Sequence, residues 1–299
     1  MRRVSPVDLM LLGTILLWAL NITITRYMVT HGWKPLAYGM IRYAAATSLF
    51  WAFTYQRERS FRFELSDRWL VVGAGVLIFL NQIGFVYSIK LTSASTVALI
   101  LGVTPIFVGI AASLVGFERL STTFWIAGAI SFAGVALVAA ESGGDLSGDL
   151  AGDLAAVGTA ASWGLYSLMI APLMRRYSPF RISAVVLALG WIPLAAVSIP
   201  QLLDQDFHFG PLVWAGFGYA VIGPLFLTNI LWFTALDRVG PSRAALFANL
   251  QPFFAVLFAL LLLSEHMTAV QVAGGCAIFA GIVLERRAHA RELAGVGAE

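Results

Sequence analysis

The chain has 299 residues, of which 59% are apolar and only 12% charged, against roughly 45–50% and 25% in ordinary globular domains. That excludes disorder and a nucleic-acid-binding domain and, with Cys276 as the one cysteine, a secreted disulfide scaffold. The mean hydropathy of +0.83 is spread along the whole length, so the net charge of +3 bears on topology, and the class is an all-α polytopic membrane protein.

The first apolar stretch, 8–29, follows Arg2 and Arg3. It reaches spanning length without a small-residue cleavage pattern, so it reads as a helix and not as a signal peptide. Further stretches follow at 35–55, 69–89, 93–116, 122–141, 153–172, 181–200, 212–235, 242–263 and 268–285, ten in all. They are continuous and not alternating, which excludes a β-barrel. With the N-terminus inside, 15 Lys and Arg fall on the inner side and only Lys34 and Lys90 on the outer side, while Arg26 and Arg42 fall within spans. This positive-inside bias predicts cytoplasmic termini at both ends in a bacterial inner membrane.

The chain also repeats itself. Asp8, Gly13, Thr14, Trp18 and Leu20 match Asp153, Gly158, Thr159, Trp163 and Leu165 at an offset of 145. Pro105, Glu118, Gly128 and Gly134 match Pro252, Glu265, Gly275 and Gly281 at 147. The division is a first five-helix repeat (1–141), a Gly/Asp-rich outer linker (142–152), a second repeat (153–285) and a cytoplasmic tail (286–299). Five spans per half is an odd number, so the second half enters the membrane inverted. Inverted repeats point to a secondary transporter with alternating access to a site at the midplane.

Ten helices as 5+5, and the stretch LFALLLLSEHMTAVQVAGGCAIFAGIVL (257–284) with Glu265 and its glycines, resemble the drug/metabolite transporter superfamily. The chain resembles an EamA-type exporter over essentially its whole length, and within that group most resembles the bacterial aromatic amino-acid exporters. The resemblance implies efflux of amino acids or other small metabolites through a central cavity between the halves. No short motif names the substrate.

Polar side chains in mid-span are costly unless they face a cavity or a partner. Thr14, Trp18, Asn21 and Thr25 share one face of the first helix; Asn81 and Gln82 lie in the third, Trp163 and Tyr166 in the sixth, Asn229 and Trp232 in the eighth, and Asn249 and Gln251 just before Pro252. Gln82 corresponds to Asn229 and Phe85 to Trp232 at the 147 offset. Amides and aromatics at matching depths suit a zwitterion with an apolar side chain. The alternative is that the amides only join helices to one another. Arg42 either holds a substrate carboxylate or else snorkels to the headgroups or pairs with a backbone carbonyl, and Arg26, nearer its helix end, is expected to snorkel.

Pro105 and Pro252 are expected in mid-helix, as paired hinges or as static bends. Gly128, Gly134, Gly274, Gly275 and Gly281 are expected to let the fifth and tenth helices pack closely, with each other or with a second copy as a homodimer. Trp33, Trp51, Trp69, Trp125 and Trp214 are expected in the interfacial belt. No Asp or Glu lies in the middle of a span, so facilitated diffusion or exchange is expected in preference to carboxylate-driven proton antiport. The expected partners are a small-molecule substrate and membrane lipid, with no cofactor, metal or nucleic acid. The rival reading is a membrane enzyme with Asp145, Asp149 and Asp153 as a metal–diphosphate site. Their spacing of four would put them on one helix face, although Gly143, Gly144, Gly148 and Gly152 interrupt it.

Overall fold

A computed structural model describes residues 6–114, 122–140, 148–232, 234–235 and 250–296. Every regular element among them is helical. We number α1 (Pro6–Thr30), α2 (Pro35–Glu58), α3 (Arg68–Leu91), α4 (Ala94–Leu101), α5 (Thr104–Leu114), α6 (Thr122–Ala140), α7 (Gly148–Ile170), α8 (Pro179–Leu203), α9 (Pro211–Trp232), α10 (Gln251–Leu262) and α11 (Ala269–Val296). Among the described residues, five segments are long and apolar enough to cross a membrane: Pro6–Thr30, Leu65–Leu91, Leu150–Arg175, Pro179–Leu203 and Pro211–Trp232.

Helix starts follow local chemistry. Pro35, Pro179, Pro211 and Pro252 occupy first turns, where a missing N–H costs nothing. Ser93 and Ser178 accept from the backbone N–H of Thr96 and Arg181 as N-caps. Gly32 makes the turn between α1 and α2 at φ +103°, where a side chain would be strained.

Several expected boundaries change. The stretch 93–116 is two helices, parted at Gly102 and Val103. Pro105 and Pro252 therefore stand in the first turns of α5 and α10 and not in mid-helix, so neither removes a bond from a helix interior. The linker assigned to 142–152 is helical from Gly148, with Gly152 packed on Leu91, the last residue of α3, and on Thr92 that caps it. The last helix runs on to Val296, through most of the segment expected as a tail. A π-helical turn, Ile222–Leu227, interrupts α9 around Pro224.

Packing follows the repeat. Helices α2 and α8 are counterparts and pack on each other, as do α6 and α11. Helix α3 packs on α7 as α9 packs on α1, and α1 packs on α10 as α7 packs on α4 and α5. Within the α2–α8 pair, the Leu36 N–H donates to Gln201 Oε1, Trp191 Nε1 to the Met40 carbonyl, Trp51 Nε1 to the Ala184 carbonyl, and Arg181 Nε to Glu58. Contacts that climb one helix while descending the other make these counterparts antiparallel. The two ends of the pair are built alike. Trp33, two residues before Pro35, stacks on Phe209 with centroids 4.8 Å apart, and Tyr177, two residues before Pro179, meets Phe63 at 4.5 Å.

The glycines of α6 and α11 bring those helices together. A Cβ on Gly134 would come within 2.5 Å of the Gly274 carbonyl, and one on Gly281 within 2.5 Å of the Ala127 carbonyl.

Candidate functional site

The middle of the bundle gathers aromatic rings from three helices. Trp18 of α1 meets Trp163 of α7 edge-on, with centroids 6.2 Å apart, and Trp232 of α9 at 5.2 Å. Trp163 in turn meets Tyr166 at 5.3 Å. Trp18 is oriented by its N–H, which donates to Thr228 Oγ1 at 2.9 Å and to the Pro224 carbonyl at 3.3 Å. That carbonyl, in the π turn, also accepts from Thr228 Oγ1. Widened turns of this kind recur at functional sites. Trp163 is 36% exposed, and Trp18 and Trp232 are half-buried, while Tyr166 is buried.

Next to this cluster lies Arg42 of α2, only 2% exposed. It does not snorkel. Its Nη2 donates to Gln82 Oε1 at 2.9 Å and its Nη1 to Asn21 Oδ1 at 3.3 Å. The guanidinium stands 5.0 Å from the Tyr38 ring and 5.7 Å from the rings of Tyr43 and Phe85. Arg42 Nε and Gln82 Nε2 are buried without a hydrogen-bond partner. Asn21 lies three residues beyond Trp18 on α1, so the cation and the aromatic rings form one neighbourhood.

The other amides part company. Asn81 donates to the Thr159 carbonyl at 3.0 Å and joins α3 to α7, as in the alternative reading. Asn229 donates to the Leu225 carbonyl of its own helix. Gln251 is half-buried at the start of α10, and Asn249 lies outside the described residues. Thr228 and Tyr43 are the neighbours that the sequence did not single out. Each adjoins a residue that it did, Asn229 and Arg42.

Arg26 also departs from expectation. Its Nη1 donates to the Ile89 and Lys90 carbonyls and closes the C-terminus of α3. Trp33, expected at the membrane interface, is 1% exposed within a ring cluster of Tyr38, Phe207, Phe209, Trp214 and Phe217. Trp51, Trp69, Trp125 and Trp214 are exposed.

Glu265, in the connection between α10 and α11, reaches into the other repeat. It accepts from the backbone N–H groups of Ala94 and Ser95 at 2.9 and 3.0 Å and from Ser95 Oγ at 2.7 Å. It caps the N-terminus of α4, where a carboxylate complements the helix dipole. Its sequence counterpart Glu118 lies outside the described residues, as do Asp145 and the Asp149 side chain. Among the described residues, no group of His, Cys, Asp and Glu is placed to hold a metal ion.

The EamA-like transporter family model matches the chain twice, over residues 5–140 and 150–285. An "uncharacterized transporter" of Archaeoglobus fulgidus is 27% identical over 280 residues, covering 91% of this chain and 95% of that protein. The "uncharacterized transporter YdeK" of Bacillus subtilis is 27% identical over 229 residues, covering 73% of this chain and 75% of that one. A solved structure titled "Crystal structure of protein" superposes with a TM-score of 0.67 at 19% identity, covering 97% of this chain and 99% of that one, which shows the fold. Two tandem matches and long apolar helices identify an integral membrane protein that belongs to the EamA-like transporter family.

Proposed function

We propose that the protein is a secondary transporter, not an enzyme, which exports aromatic or other neutral amino acids, or similar small metabolites, by alternating access. Ten spans form two inverted five-helix repeats in the bacterial inner membrane, with both termini in the cytoplasm. The antiparallel course of α2 and α8, which are counterparts in the repeat, supports the inversion. The positive-inside count supports the orientation.

One observation carries the reading. Repeat-equivalent Trp18 and Trp163 meet where the halves join, beside a buried guanidinium that bonds two amides and three rings face. In this reading the rings cover an apolar side chain and Arg42, Asn21 and Gln82 take the carboxylate. Pro105 and Pro252 stand in the first turns of their helices, and a hinge in the first repeat lies in the break at Gly102 and Val103, just before Pro105. Transport runs as facilitated diffusion or exchange, because no mid-span carboxylate is present to carry a proton.

Efflux from cells loaded with labelled L-phenylalanine tests this. Cells that make the protein should lose label faster than cells that make a Trp163→Ala variant at equal abundance. Equal rates would sink the proposal.

A further inference from the structure

The charge inventory of the site is lopsided. Arg42 is a fixed cation, 2% exposed. The apolar stretches carry no Asp or Glu at mid-depth in the sequence. A buried charge without a counter-ion is costly, and the usual remedy is a carboxylate partner. Here the partners are two amide oxygens and three ring faces.

The unmet hydrogen bonds are also of one kind. A guanidinium has five N–H donors, and two hydrogen bonds from Arg42 to side chains are made, to Gln82 and Asn21. Arg42 Nε and the Gln82 amide nitrogen are buried with no acceptor. The bond to Asn21, at 3.3 Å, lies at the weak end of the N–H···O range, so a carboxylate replaces it at little cost. Buried unsatisfied groups are few in native proteins and call for a reason. An unmet donor on a cation, with an unmet amide donor on the residue that the cation bonds, points to an acceptor-only, negatively charged group. The second repeat has Val186 at the place of Arg42, counting from Pro35 and Pro179, so the cation is on one side of the site only.

We infer that the site reads its substrate by the carboxylate alone: it takes aromatic monocarboxylates, and an α-ammonium group is tolerated but not required. The inference rests on the transport reading above and narrows it, since a zwitterion-selective site would need an acid or a cluster of free acceptors for the ammonium. Aromatic faces attract an ammonium, but the three rings nearest the guanidinium, Tyr38, Tyr43 and Phe85, already face Arg42, and a second cation beside it would be repelled.

The test is equilibrium binding to detergent-purified protein, read by tryptophan fluorescence, since Trp18, Trp163 and Trp232 line the site. The probes are L-phenylalanine, 3-phenylpropionate, which lacks the ammonium, and phenethylamine, which lacks the carboxylate. The expected result is that 3-phenylpropionate binds within about threefold of L-phenylalanine, while phenethylamine binds at least about tenfold more weakly, as loss of a charged hydrogen-bond pair dictates. In Arg42→Lys, which keeps the charge and loses the fork, 3-phenylpropionate should weaken about tenfold. Equal binding of the two analogues, binding of the amine alone, or binding of neither overturns the inference on wild-type protein, whether or not the variant folds. Binding that follows the expected order without any efflux of phenylalanine would overturn the transport reading and leave the carboxylate site standing.

Discussion

Trp18 and Trp163 occupy the same position in two successive copies of one sequence pattern, and in the folded chain their rings meet edge to face, 6.2 Å apart. Their surroundings differ. Trp18 is tethered through its N–H to Thr228 and half-buried, while Trp163 is 36% exposed and its ring meets those of Trp18 and Tyr166. Trp163→Ala should therefore abolish most transport at a stability cost below about 1 kcal/mol. Trp18→Ala should lose transport and also lower the melting temperature, through a lost hydrogen bond and lost ring packing worth about 1–3 kcal/mol. Thermal unfolding in detergent alongside efflux separates the two. Unfolding of both variants would reduce these rings to core packing.

Glu265 supplies three acceptor contacts to the start of α4. Glu265→Gln should cost about 1–2 kcal/mol, because one oxygen is lost together with the charge that faces the helix dipole. Since the carboxylate acts as a cap, the variant should respond to a pH gradient as the wild type does. A gradient-driven uphill accumulation that vanishes in Glu265→Gln would assign proton coupling to this residue.

Two glycine substitutions should differ in sign. Gly281→Ala would press a methyl group on the Ala127 carbonyl and separate α6 from α11, a cost of about 1–3 kcal/mol for overpacking. Gly158→Ala has nothing within 4 Å of the new carbon and should be neutral or stabilising by up to about 1 kcal/mol. Melting temperatures of the two variants check this directly.

Orientation is tested by placing cysteines in a Cys276→Ser background. His208, with a side chain 97% exposed, is on the outer side in the proposed topology, and Ser66, also exposed, is on the inner side. On whole cells an impermeant thiol reagent should label His208→Cys and spare Ser66→Cys. The reverse pattern contradicts the assigned topology.

The course of the helices was legible because a membrane asks for long apolar runs, and the repeat because aligned offsets do not depend on packing. The break at Gly102 and Val103 was not, since 93–116 stays apolar across it. Within such a run hydropathy has no periodic minimum to mark a boundary. Trp33 shows the same loss of information: a tryptophan at a span end looks interfacial in one dimension, and only the fold brings Phe207, Phe209 and Phe217 over it. Asn81 and Gln82 are neighbours in sequence, yet Asn81 is spent on the Thr159 carbonyl and Gln82 faces Arg42. Which of two adjacent amides faces a site depends on helix rotation, set by packing and not by composition. Arg26 likewise found the end of α3, a partner more than sixty residues away in the chain.

In the proposed mechanism an amino acid exchanges across the membrane through this aromatic and guanidinium site. Counterflow measures it most directly: proteoliposomes loaded with unlabelled L-phenylalanine, at equal pH inside and out, are diluted into a trace of labelled L-phenylalanine. The expected result is a transient overshoot of label above equilibrium, lost in Trp163→Ala. Uptake that never exceeds protein-free liposomes, for phenylalanine and for a panel of neutral amino acids, would contradict it.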